Sequence, residues 1–275
     1  MNNKLLELSM NNFADEDGDI LHIPHGDMPG DKINIEKSHI EKAKVIFPEL
    51  IKKVKECATT NSKVVITVCG GSGVGKSEIA SLLAHYFENM GVGCYTLSGD
   101  NYPHRIPVYN DAERLRIFRE SAIRGMITDS EYSFERFNII HQYQLENKDA
   151  ESKNIAKYPW YESYIRNGAM GLQGYLGTEK EINFSEIQNI VKEFKSGAEK
   201  IWLKRMGRED TELWYEEVDF SEKDILIIEW THGNSKNYTG VDIPVLLNST
   251  PKETLAHRRS RNRDGAVDSP FTTLV

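Results

Sequence analysis

This sequence predicts an α/β fold, a parallel sheet with helices on both faces, and three observations predict it. Residues 64–68 form a short run of β-branched and apolar residues of the kind a buried parallel strand requires. The run Gly70-Gly71-Ser72-Gly73-Val74-Gly75-Lys76-Ser77 follows and fits G-x-x-x-x-G-K-[ST] at every fixed position. Ile79, Leu82, Leu83, Tyr86, Phe87 and Met90 then recur at helical spacing. Strand, loop and amphipathic helix therefore stand in the order that a phosphate-binding loop demands.

The remaining elements follow in chain order. Residues 1–35 are rich in Asp, Asn and Gly without sustained periodicity and read as an N-terminal extension on the surface of a single domain over 36–275. Asp15, Asp17 and Asp19 lack the turn glycine and twelfth-position glutamate of a calcium loop and read as a solvated acidic turn. Phe47, Leu50, Ile51 and Val54 mark a helix face, with Pro48 expected near the helix start. Gly91 and Gly93 turn the chain into a second strand near 94–97, which ends at Ser98-Gly99-Asp100-Asn101-Tyr102. Residues 111–126 read as a helix with Leu115, Phe118, Ala122 and Met126 inward, and 129–182 as an aromatic, irregular insertion near the substrate. Asn183 with Glu186 makes a capping box for a helix carrying Phe184, Ile187, Ile190, Val191 and Phe194. Strand-like pieces follow at 200–205 and 212–218. The apolar run 224–229 reads as the strand beside the first one, ending in Glu229, and 243–247 as one more. Thr250, Pro251 and Glu253 start a helix carrying Arg258, Arg259, Arg261 and Arg263, expected to be a lid over 255–268.

At 275 residues with 39% hydrophobic content the chain can bury a sizeable core. A net charge of -8 argues against a general nucleic-acid partner. Three cysteines without metal-ligand spacing indicate buried thiols in a reducing compartment. The first residues have no apolar stretch of signal-peptide length and no segment approaches a membrane span, so a cytoplasmic location is expected. The oligomeric state is open, a homo-oligomer included.

The loop names a ligand, a nucleoside triphosphate with Mg2+. Backbone N–H groups of Gly70 to Ser77 curl around phosphate oxygens, and the following helix points its positive end at them. Lys76 is placed to reach the β- and γ-phosphates and Ser77 to ligate the metal. In open parallel sheets the carboxyl ends of strands face the ligand, which brings Asp100, His104, Arg105 and Glu229 towards one side.

The loop, Ser98-Gly99-Asp100-Asn101-Tyr102, the strand ending in Glu229 and the arginine-rich segment ending in Arg263-Asp264 resemble, in this order, the uridine kinase and phosphoribulokinase family of P-loop kinases. The resemblance implies ATP as donor and a hydroxyl of a small metabolite as acceptor. It further implies Asp100 as the base that takes the hydroxyl proton and Tyr102 as a wall of the acceptor pocket. Glu229 would hold Mg2+ with Ser77, and Arg259, Arg261 and Arg263 would cover the phosphates. The family's nucleoside-reading Tyr-Asp and His are replaced here by Ile201-Trp-Leu-Lys-Arg-Met-Gly-Arg208, where Lys204, Arg205 and Arg208 suit either an acidic or phosphorylated acceptor or a solvated hairpin. Leu97-Ser-Gly-Asp-Asn101 also resembles adenylylsulfate kinase, the first alternative. A nucleotide-regulated binding module without turnover is the second.

Overall fold

The computed structural model describes residues 3–10, 23, 25–31, 33–250 and 254. In chain order the elements are α1 (Asn3–Leu6), α2 (Lys37–Ala58), β1 (Val64–Gly70), α3 (Lys76–Asn89) and β2 (Cys94–Ser98). A 3-10 turn (Gly99–Asn101) precedes α4 (Pro107–Thr128), α5 (Phe134–Leu145), α6 (Asn154–Lys157), α7 (Tyr161–Gln173) and α8 (Phe184–Lys195). Then come β3 (Lys200–Met206), β4 (Leu213–Asp219), β5 (Ile225–Glu229) and β6 (Ile243–Leu247). Among the described residues, those up to Pro103 and from Asn183 to Thr254 form one compact unit, and His104–Ile182 form a second.

The first unit is built on a parallel sheet of order β2-β5-β1-β6, with β3 and β4 pairing antiparallel beside it. Every residue of β1 and of β5 is buried, the polar Thr67 and Glu229 included, as central strands of a parallel sheet require. One sheet face, through Val64, Ile66, Val68, Ile225 and Ile227, packs in a core shared with α2 and α3. In that core Phe47 meets Tyr86 and Phe87 with ring centroids 5.1 and 4.9 Å apart. On the opposite face α8 presents Phe194 to Phe220, which in turn meets Tyr95 of β2. The Asn183 side chain caps α8 by accepting from the Glu186 amide at 3.2 Å, the capping geometry the sequence predicts.

Two expectations about this unit are corrected. Pro48 lies inside α2, not near its start. The helix tolerates the missing N–H because Ala43, Phe47, Leu50, Ile51 and Val54 are all buried on one face across it. The N-terminal segment is more than a surface extension. Leu5 and Leu8 belong to the core, and the Asp27 side chain is 8% exposed against Arg205. The Asp15, Asp17 and Asp19 turn lies outside the described residues.

Among its described residues the second unit is built from helices joined by turns, so 129–182 is more regular than expected, and α4 belongs to the same unit. Pro107 opens α4 at a first-turn position, and Phe118, Ala122 and Met126 are buried with Tyr161 and Tyr164 of α7 while Leu115 is half-buried. Asp149 is fully buried there. Arg119 donates to its two oxygens at 3.0 and 2.8 Å, and the Tyr164 hydroxyl donates at 2.8 Å.

Candidate active site

The carboxyl ends of β1, β2 and β5 meet in the first unit, and the phosphate-binding loop joins β1 to α3 there. Gly75 caps α3 with φ +89°, a conformation that side chains avoid, and a Cβ would stand 3.0 Å from His39 Nε2. Lys76, 8% exposed, donates its Nζ hydrogen across the loop to the Gly71 carbonyl at 3.0 Å. Gly71 and Ser72 are exposed at the loop crest, while Val74, Gly75 and Lys76 are buried.

Glu229 ends β5 with its carboxylate buried. Its Oε2 accepts from Ser77 Oγ at 3.2 Å and its Oε1 from Ser98 Oγ at 3.0 Å. One carboxylate therefore ties the loop, the end of β2 and the end of β5 together. Burial, then the Asp100 charge, and also that of Asp31, push the Glu229 carboxyl up to about 7, against Lys76 and the Ser98 hydrogen bond. A hydroxyl and a carboxylate are hard oxygen donors of the type Mg2+ takes. Ser77 and Glu229 are thus the residues that fit a divalent cation.

Asp100 sits on the 3-10 turn, exposed between buried Gly99 and Asn101. Gly99 is required by packing, since a Cβ there would lie 2.0 Å from Trp230 Cγ. Asn101 accepts from the Met206 amide at 3.0 Å and so fastens the turn to β3. Asp27 accepts from the Ser98 amide at 2.7 Å and from Asn101 Nδ2 at 3.2 Å through Oδ1. Through Oδ2 it accepts from Arg205 at 2.9 Å and from the Tyr95 hydroxyl at 3.0 Å.

The other anticipated residues are placed differently. Tyr102 is fully buried, and its hydroxyl has no partner among the described residues, so its ring lies inside the core instead of walling an open pocket. Arg205 is taken up by Asp27 and, at 3.0 Å, by Glu216, which leaves it no role towards an acidic acceptor. Lys204 is buried and donates to the Pro103 carbonyl at 3.0 Å. Arg208 is exposed beyond β3, its backbone amide donating to Glu212. His104 and Arg105 belong to the second unit. There the His104 ring contacts the Glu179 carbonyl at 3.0 Å, and Arg105 donates to the Tyr175 hydroxyl at 3.1 Å. Arg258, Arg259, Arg261, Arg263 and Asp264, and with them the lid, lie outside the described residues.

Sequence reasoning missed Ser98, Asn101 and Asp27. Ser98 and Asn101 flank Asp100 and were within reach of a motif reading. Asp27 was not, because its partners Tyr95, Ser98 and Arg205 lie 68, 71 and 178 residues further along the chain.

Residues 48–158 match the family described as Zeta toxin. Over 228 residues the chain is 40% identical to a bifunctional alpha-galactosidase/sucrose kinase, AgaSK, of Mediterraneibacter gnavus, an alignment covering 82% of this chain and 20% of that protein. The chain thus spans about one fifth of the length of the curated relative it matches. A solved structure described as a "putative fructose transport system kinase" from Silicibacter sp. TM1040 superposes with a TM-score of 0.49 at 12% identity, covering 84% of this chain and 87% of that one. Among the described residues no helix is long and apolar enough to cross a membrane. The likeness in sequence is to P-loop kinases at large, and not specifically to uridine kinase or phosphoribulokinase.

Proposed function

We propose that this chain transfers the γ-phosphoryl group of ATP to a hydroxyl of a small sugar, with sucrose the first acceptor to test. The observation that carries the reading is the pair of hydrogen bonds on Glu229, from Ser77 at 3.2 Å and from Ser98 at 3.0 Å. It gathers the loop and two strand ends around a buried carboxylate, with Asp100 exposed on the next turn, and this supports the reading. The name of the M. gnavus relative supports a sugar as acceptor.

In this reading the loop amides and the Lys76 ammonium hold the β- and γ-phosphates, while Ser77 and Glu229 hold Mg2+. The cation, when bound, neutralises charge that builds on the phosphate oxygens. Asp100 orients the acceptor hydroxyl by accepting its hydrogen bond. As the acceptor oxygen bonds to the γ-phosphorus, the bond from that phosphorus to the bridging oxygen of ADP breaks, and the hydroxyl proton passes to Asp100. Phosphoryl transfer asks for little beyond this positioning and charge.

The test is ADP release from MgATP against a panel of sucrose, fructose, nucleosides and adenylylsulfate. Sucrose-dependent release supports the reading. Release with nucleosides or adenylylsulfate alone moves the acceptor to another class. Tight MgATP binding without turnover on any acceptor would make the chain a nucleotide-regulated binding module.

A further inference from the structure

The segment 25–31 lies at the candidate site although it is far from it in sequence. A Cβ on Gly26 would come within 3.6 Å of Thr96 Cγ2 and 4.0 Å of both Ser98 Cβ and Glu229 Cγ, so the backbone there runs against the ends of β2 and β5. One residue later Asp27 inserts its carboxylate. Its Oδ1 takes the Ser98 amide and the Asn101 side chain, the residues on either side of the Gly99-Asp100 step. Its Oδ2 takes Arg205 and Tyr95. Arg205 is anchored in turn on Glu216, and it donates a further hydrogen bond to Tyr95 at 2.9 Å. Asn101 passes the restraint to β3 through the Met206 amide.

A surface tether has no need of such a construction, since a buried carboxylate opposite a buried guanidinium is costly unless every lone pair is used. What the construction restrains is the one short turn that carries Asp100, and it does so from both flanks. We infer that Asp27 is a positioning residue: it clamps the Ser98–Asn101 turn and thereby sets where the Asp100 carboxylate stands. The inference rests on the kinase reading for its rate consequence and on the hydrogen bonds alone for its structural one. A misplacement of about 1 Å at a reacting group lowers rate by about 10²-fold.

Two substitutions of the full chain separate positioning from a structural ion pair. Asp27→Glu keeps the charge opposite Arg205 but adds a methylene that shifts the acceptor away from the Ser98 amide. Asp27→Asn loses the ion pair but keeps an oxygen where Oδ1 accepts. Positioning predicts that Asp27→Glu lowers kcat by about 10- to 100-fold while the KM for MgATP stays within about threefold, and that Asp27→Asn retains kcat within about threefold. A structural ion pair predicts the reverse order, and that result overturns the inference. Amide exchange supplies the reading that needs no turnover. In Asp27→Glu the Ser98 amide should exchange at least about tenfold faster while the Ile66 and Ile227 amides are unchanged. If the wild type phosphorylates none of the acceptors, the kinase reading fails and exchange alone decides the clamp. Unchanged Ser98 exchange overturns it.

Discussion

Asp100 is exposed on a turn whose neighbours Gly99 and Asn101 are buried, so its carboxylate meets solvent while its backbone is held. Asp100→Asn keeps the shape but cannot take a proton. MgATP affinity should therefore stay within about threefold while turnover falls by about 10² to 10⁴. Calorimetry and initial rates on the same preparation check this, and a wild-type rate in the variant would make Asp100 a turn residue only. Asp27 gives a separate prediction in pH. Burial pushes its carboxyl from 3.8 up to about 6, against the Arg205 charge, the Ser98 amide and the Tyr95 hydroxyl. The folded state thus binds this proton more tightly than the unfolded chain does. The stability the group contributes is complete below about pH 3.8 and is lost as pH rises through about 6. Asp27→Asn removes the titration, so in urea melts the wild type should lose stability relative to the variant across that window. A difference that stays constant, or grows in favour of the wild type, contradicts the burial argument.

At the scale of elements, local pattern and long-range partnership divide what was legible. β1, α3, α8 and β5 follow from periodicity, capping and composition carried within each segment, so the sequence reading and the structure agree on them. The helices of 129–182 escaped because their interior is organised by buried polar groups and aromatic rings instead of an aliphatic stripe. Asp149 sits among Arg119, Tyr161 and Tyr164, and Glu181 accepts from Asn110 and Arg114. Asp149 is fully buried with Arg119 as its cationic partner. Arg119→Ala should therefore destabilise the protein by about 3–5 kcal/mol, because it leaves an uncompensated charge in the interior. Denaturant unfolding measures it, and a loss under about 1 kcal/mol, typical of an exposed pair, would mean that Asp149 finds another partner.

At the scale of the whole molecule, the motif reading named the loop, Asp100 and Glu229, and the structure brings Ser77 and Glu229 to 3.2 Å across β1 and β5. It could not name Asp27, whose partners reach it only in the fold, Arg205 of β3 from 178 residues further along the chain. Nor could it see that Arg205 is neutralised, since Asp27 and Glu216 reach it only in the fold. The acceptor is a property of the site as a whole, and the chain's likeness to a sucrose kinase relates it to about one fifth of that longer protein. The most direct test of the central claim is phosphorus NMR of the intact chain incubated with MgATP and sucrose, run beside Lys76→Ala. The account predicts a new phosphate-monoester resonance on the sugar appearing in step with ADP, one for each ATP consumed, and neither product with Lys76→Ala. ATP that stays intact with wild-type protein, or ADP that appears with inorganic phosphate and no sugar ester, would contradict it.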